Sequence, residues 1–337
     1  MSINDALNML QTSGLDGWGE TEFRVRKLFQ AQSQSRLLAS IVNRSCQHIV
    51  DTIYADRGAR LPQWALLDTF DQLRGRPPFD AQLVREARQL LTQIKALYGY
   101  GGVADIHQPR KDRKAQLRRC ILLANLVDQA RQDPEDIYSE RSNIFSGPFS
   151  LPPGPYDALW RDITAALEYP SSVLTCMAAT ACLEAHEGLY PGRLRVMAQL
   201  FWPMVFQWVL LAPCPLPYPR SPPQPHHARP AALRDQLSVL KFKAKHHGDI
   251  LKNTQRWYDD CLARAAHRRT GSFLPRALQH TLACPLFTAG KLARDMSCVP
   301  RTAEGLVARL LEAGVATSLQ RSGQLQVLAL TKDPLTE

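Results

Sequence analysis

One short stretch gathers most of the reactive side chains that lie beside apolar sequence. It reads Glu184-Ala-His-Glu-Gly-Leu-Tyr-Pro-Gly-Arg-Leu-Arg195. An imidazole at His186 next to a carboxylate at Glu187 has the makings of general acid–base chemistry. Gly192, Arg193 and Arg195 have a different character. A glycine at the start of a helix leaves backbone N–H groups open, and two guanidiniums beside them favour an anion such as a phosphate. The flanks show what must position this stretch. Residues 171–182 carry no charged side chain, and 196–214 contain no acidic or basic residue. Both read as buried helices, so the polar stretch is a turn between them, facing their shared core. The bland alternative is that Arg193 and Arg195 cap a helix and pair with Glu184 or Glu187, with His186 a satisfied core histidine.

A second set of residues lies near the C-terminus. Leu274 to Cys284 has helical spacing; Thr288 is placed to cap a helix over Ala289–Met296; Ser297-Cys-Val is a turn; Pro300 opens a helix that stops at Gly314. In that last helix Ala303, Leu306, Val307, Leu310 and Leu311 make one apolar stripe. Two strands follow, over Val315–Gln320 and Gln324–Leu330, joined at Arg321-Ser-Gly323. Helix, helix, turn, helix and hairpin is the order of a winged helix-turn-helix. It places Arg301, Thr302, Gly305 and Arg309 on the open side of a recognition helix and Arg321 at the wing, as groove and phosphate contacts. Glu304 and Glu312 share that helix, and winged helices also dock proteins, so a protein partner stands beside DNA as an expectation.

Composition narrows the classes. The chain has 337 residues, 45% of them hydrophobic, and a formal charge of +10. That suits a folded chain whose partners are polyanionic, with most of the positive excess in the C-terminal third. The eight cysteines are scattered without a CxxC, which reads as reduced, core-filling thiols. The N-terminus has no basic region followed by an apolar run, so no secretory signal is expected and the location is taken as cytoplasmic. Leu200 to Cys214 is too short for a membrane span and is interrupted by Pro203 and Gln207. His226-His227 and His246-His247 have no companions at ligand spacing; no metal is assigned.

The remaining chain reads as helices over Arg36–Tyr54, Leu61–Leu73, Phe79–Leu97, Cys120–Val127, Tyr156–Leu167 and Arg234–His267, with residues 1–35 left polar and unassigned. Arg110 to Arg119 is the densest basic run, read as a solvated helix start. Arg141 to Pro155 is too rich in Gly and Pro for helix and is expected as a small β-hairpin flap. The proline-dense stretch 212–230 is expected as an extended surface loop. The fold class is thus mainly α, divided into an N-terminal helical region (1–120), a helical core (121–268) and the winged helix (269–337).

Taken together, residues 142–330 resemble the Fic family, whose members transfer AMP or related groups to protein hydroxyls. The likeness is one of order: a flap ending in Phe149-Ser-Leu-Pro-Pro153, a short helix, a helix entering an active-site loop, an apolar helix, a proline-containing loop, further helices, and a terminal winged helix. The family's loop runs His-x-Phe-x-Asp/Glu-Gly-Asn-Gly-Arg-x-x-Arg, commonly after Phe-Glu-x-Ile. Laid on Leu183–Arg195 it matches Glu184, Gly192 and Arg195. The family's catalytic histidine then falls on Glu187, its metal-binding carboxylate on Pro191 and its second arginine on Ala198. Shifting by one residue restores His186 as the base and loses the glycine and the arginine. The family's inhibitory motif, Ser/Thr-x-x-x-Glu-Gly/Asn, is absent from the first hundred residues.

The resemblance therefore implies a Fic-like body with a degenerate loop, a pseudoenzyme whose Gly192, Arg193 and Arg195 retain an anion-binding corner for a nucleotide, ATP being the family's own. The expected function is regulatory, through DNA bound by the winged helix. The alternatives are a divergent protein adenylyltransferase with His186 as base, and a scaffold in which both parts only dock proteins.

Overall fold

The computed structural model describes residues 18–56, 58–59, 61, 81–99, 112–127, 151–170, 172–216, 218, 230–265, 273–322, 325–331 and 334–335. Among them the protein is mainly helical, with one small antiparallel sheet. The helices are α1 (Trp18–Ser33), α2 (Leu38–Asp56), α3 (Ala81–Leu97), α4 (Arg113–Leu126), α5 (Pro153–Leu167), α6 (Val173–Ala185), α7 (Leu194–Leu210), α8 (Pro230–Ala265), α9 (Phe273–Ala283), α10 (Ala289–Met296) and α11 (Pro300–Glu312). The strands are β1 (Leu286–Phe287), β2 (Ala316–Ser322) and β3 (Leu325–Leu330). The expected helix over Leu61–Leu73 lies almost wholly outside the described residues, as do the expected flap up to residue 150 and His226-His227.

The body is built around α7, which packs on α2, α4 and α6. Its sequence explains this position: almost every residue from Val196 to Leu210 is apolar, and Trp202, Phe201 and Phe206 are fully buried. A helix apolar on all sides has to sit inside the molecule. Its aromatic side chains meet edge to face, Phe29 of α1 on Phe206 at 6.2 Å and Phe201 on Trp208 at 5.7 Å between centroids. Polar ties fix its register. Tyr98 donates its hydroxyl to the Leu200 carbonyl (2.9 Å), and the Trp208 indole donates to Gln116 Oε1 (2.8 Å), whose amide in turn donates to the Leu97 carbonyl (3.0 Å). Pro203 sits inside the helix without ending it. The helix stops at Leu211, which adopts a left-handed conformation (φ 54°), just ahead of Pro213.

Helix α1 falls within a segment that the sequence leaves unassigned. Its buried face is narrow, with Val25, Leu28 and Phe29 toward the core. It is held from outside as well: it lies along α8, and Glu22 reaches across to accept the Val173 N–H of α6 at 2.6 Å. That carboxylate joins Ser172, whose hydroxyl accepts from Thr175 N at 3.2 Å, in capping α6. Helix α2 bridges front and back of the chain. It packs on α3, α7 and α9, and Ser40 and Asn43 donate to the carbonyls of Gln279 and Ala283 at the end of α9. One hydrophobic cluster runs from Val25 to Leu330, across residues 120 and 268.

The C-terminal elements run α9-β1-α10-α11-β2-β3, with strands in the order β1-β3-β2. This is the arrangement expected for a winged helix-turn-helix, with one strand added: Leu286 and Phe287 pair with Ala329 and Leu328. Two residues between helices carry too little pattern to be read as a strand. The hairpin register is interrupted between Ser318 and Gln320, where β2 bulges.

Candidate functional site

Residues 186–193 connect α6 to α7 through a single turn of 3-10 helix at Glu187–Leu189. Two buried contacts hold it. Tyr190, fully buried, donates its hydroxyl to the Leu183 carbonyl, and Asn125 of α4 donates to the Leu189 carbonyl at 2.9 Å. Gly192 takes φ +68°, a left-handed conformation that favours glycine, and lets the chain reverse into α7. The turn is therefore specified by a buried tyrosine, an amide from α4 and a glycine.

His186 ends α6, and its Nε2 lies 2.7 Å from Asp162 Oδ2 of α5. A carboxylate on one ring nitrogen orients an imidazole. Asp162 has no signal in the sequence; it lies 24 residues from its partner, on a helix whose buried residues are Tyr156, Leu159, Ile163 and Ala166. Glu187 and Arg195 are exposed. Arg193 precedes α7 and turns one guanidinium nitrogen toward the Ala124 carbonyl in the last turn of α4, at 3.5 Å. A cation there complements the negative end of α4. The first turn of α7 has no side-chain cap. The turn thus keeps His186 and Arg193 half-buried on separate protein partners, with Arg195 and Glu187 facing outward.

The C-terminal face is organised differently. Thr288 accepts from Lys291 N at 3.1 Å and caps α10. Asp295 lies 3.0 Å from Lys291 Nζ and 3.4 Å from His280 Nε2, linking α9 to α10. The turn to α11 passes through Ser297 at φ 52°, with Cys298 N donating to the Ala293 carbonyl at 2.9 Å. Pro300 then starts α11 at its first position. Ala303, Leu306, Val307 and Leu310 are buried, which turns Arg301, Glu304 and Gly305 outward; Thr302 and Arg309 are half-exposed. At its far end α11 is anchored to α8, where Arg264 donates to the Ala313 carbonyl at 3.0 Å. Arg321 lies on β2 opposite Gln326, with its side chain outside those described.

Most of the cysteines fill the core: six of the eight are buried, and burial pushes the Cys46 thiol up to about 12. His246 and His247 follow one another on α8, where Phe242 stacks on His246. Among the described residues no group of three or more His, Cys, Asp or Glu side chains is placed to hold a metal ion, and no helix is long and apolar enough to cross a membrane. No protein-family model matches the chain, and no curated protein matches it.

Proposed function

We propose that this chain is a DNA-binding regulatory protein that acts through its C-terminal winged helix, carried on a Fic-like helical body that performs no transfer chemistry. The observation that carries the reading is the order α9-β1-α10-α11-β2-β3 with Arg301, Glu304 and Gly305 on the outer face of α11 and Thr302 half-exposed beside them. Arg309 flanks that face, and Arg321 lies on β2. A helix presented this way suits the major groove, and the cations suit flanking phosphates. The formal charge of +10 supports a polyanionic partner.

The non-catalytic half of the proposal rests on the 186–195 turn. Nucleotidyl transfer needs groups that neutralise charge developing on the phosphates as well as a base. Here Pro191 stands where the resembled loop has its metal-binding carboxylate, and Arg193 is directed to the carbonyl of Ala124. A second reading, the divergent adenylyltransferase, draws on the His186–Asp162 pair, since a general base needs an orienting partner. Incubation with labelled ATP separates the two. The proposal expects equal background labelling in the parent, His186→Ala and Arg195→Ala; labelling lost with either substitution would favour the transferase.

DNA binding itself is tested by titrating mixed-sequence duplex at several salt concentrations. Arg301→Ala is expected to weaken binding and to lower the slope of log affinity against log salt by about one. Wild-type affinity and slope in that variant would remove Arg301 from the interface.

A further inference from the structure

The basic run that the sequence reads as a solvated helix start does not face bulk solvent alone. Its descendants in the fold, Arg113 and Lys114 at the start of α4, form one wall of an open cleft of about 410 Å³ whose other wall is α5. Trp160 and Thr164 of α5 and Glu168 just past its end face it, and none of these belongs to the 186–195 turn or the C-terminal module. The volume falls within the range of small-molecule sites.

The walls are positioned by contacts that do not consume their binding groups. Trp160 meets Trp208 edge to face at 6.5 Å between centroids, an anchor that leaves its ring only half-buried. Arg113 lies 5.9 Å over the Trp208 ring and donates a single guanidinium nitrogen to the Trp208 carbonyl at 3.2 Å. That pins the group while its other N–H donors stay available. Lys114 is steadied by Asp157 at 2.7 Å and by the Tyr156 ring at 5.6 Å. Asp112 also lines the cleft, where its carboxylate caps α4 by accepting from Ala115 N at 2.8 Å. Thr164 donates its hydroxyl to the Trp160 carbonyl at 2.8 Å, leaving the oxygen lone pairs as acceptors. What remains is an aromatic face, a held guanidinium with an ammonium beside it, and acceptors at Thr164 and Glu168 on the far side.

From this we infer that the α4–α5 cleft binds a planar aromatic anion, with its ring on Trp160 and its charged group on Arg113 and Lys114. Stacking and charge-assisted hydrogen bonding are both needed. A guanidinium exposed to solvent on one side holds a lone anion weakly, and an indole without a cation does not select for charge. A ligand with donors at its other end would also reach Glu168. Two sources of this chemistry are a nucleoside monophosphate and an aromatic carboxylate.

Calorimetric titration of the full chain distinguishes them, using adenosine monophosphate and 4-hydroxybenzoate as probes and inorganic phosphate and adenosine as half-probes. At least one aromatic anion is expected to bind, and Arg113→Ala and Trp160→Leu are each expected to weaken it about tenfold or more. Adenosine and phosphate alone should each bind at least about tenfold more weakly than the monophosphate if that is the better probe. Thr164→Trp, at an exposed position, fills the cleft without disturbing the core and should abolish binding in a protein with unchanged circular dichroism. The inference is overturned if neither aromatic anion binds at millimolar concentration. It is equally overturned if affinity is unchanged in Arg113→Ala and Thr164→Trp, or if phosphate binds as well as the monophosphate and 4-hydroxybenzoate does not bind.

Discussion

Three residues show how local chemistry sets stability without touching function. Leu211 is 74% exposed and adopts φ 54°, so a branched side chain sits in a left-handed conformation with little packing in return. Leu211→Gly is expected to stabilise the protein by about 1 kcal/mol, read as a higher urea midpoint at unchanged m. Asp51 on α2 buries Oδ1 without a hydrogen-bond partner, and burial pushes its carboxyl from 3.8 up to about 6, only partly offset by Arg44. Below about pH 4 both folded and unfolded chains hold that proton, so the group costs nothing; as pH rises from about 4 to 6 the unfolded chain ionises while the buried acid does not, and stability falls. Asp51→Asn should therefore raise stability at pH 7 to 8 by on the order of 1–2 kcal/mol and leave it unchanged near pH 4. His247 works in the opposite direction. Burial, with Lys243 and His48 nearby, lowers it from 6.5 to about 4, so stability is lost as pH falls through that window. In the parent the two titrations oppose each other, and in Asp51→Asn the loss on acidification should be the steeper. Melting temperature against pH for parent and variant checks both signs.

At the level of elements, the caps and breaks were the most legible features. Pro300 and Gly314 place the ends of α11 through their own backbone geometry, and Thr288 places the start of α10 through its side-chain oxygen. Helix α7 was legible because a run so rich in apolar residues and free of charge from Val196 on has only one place to go. Helix α1 was not, since its support comes from α8 and from the α6 N-terminus, contacts more than a hundred residues away that no local pattern records. Strand β1 is too short to carry alternation, and it exists because β3 offers an edge. The candidate site divides along the same line. The turn and its Gly192 could be read, whereas Asp162 beside His186, and Trp160 and Trp208 beside the basic run, are tertiary neighbours. Glu22 tests the tertiary cap: Glu22→Gln should cost about 1 kcal/mol, measured by denaturant unfolding, because it removes a charged acceptor from the Val173 N–H. No change would mean Ser172 caps α6 unaided.

For the molecule as a whole, the buried cluster continues from the helical body into the C-terminal elements, and α2, α8 and α9 make the joint. A large cut at its centre should therefore be felt throughout. Trp202→Ala is expected to cost about 3–5 kcal/mol, with the body and the C-terminal elements losing structure in one transition. The proposed role uses this body to hold α11 outward, with Arg264 bracing its far end. The most direct test of that role is the salt dependence of binding to mixed-sequence duplex, comparing the parent with a variant carrying Arg301→Ala, Arg309→Ala and Arg321→Ala. With these three arginines on phosphates, the parent's slope of log affinity against log salt should be steeper than the variant's by about 3. A parent that fails to bind at low salt, or a triple variant that binds with the parent's affinity and slope, would contradict the account.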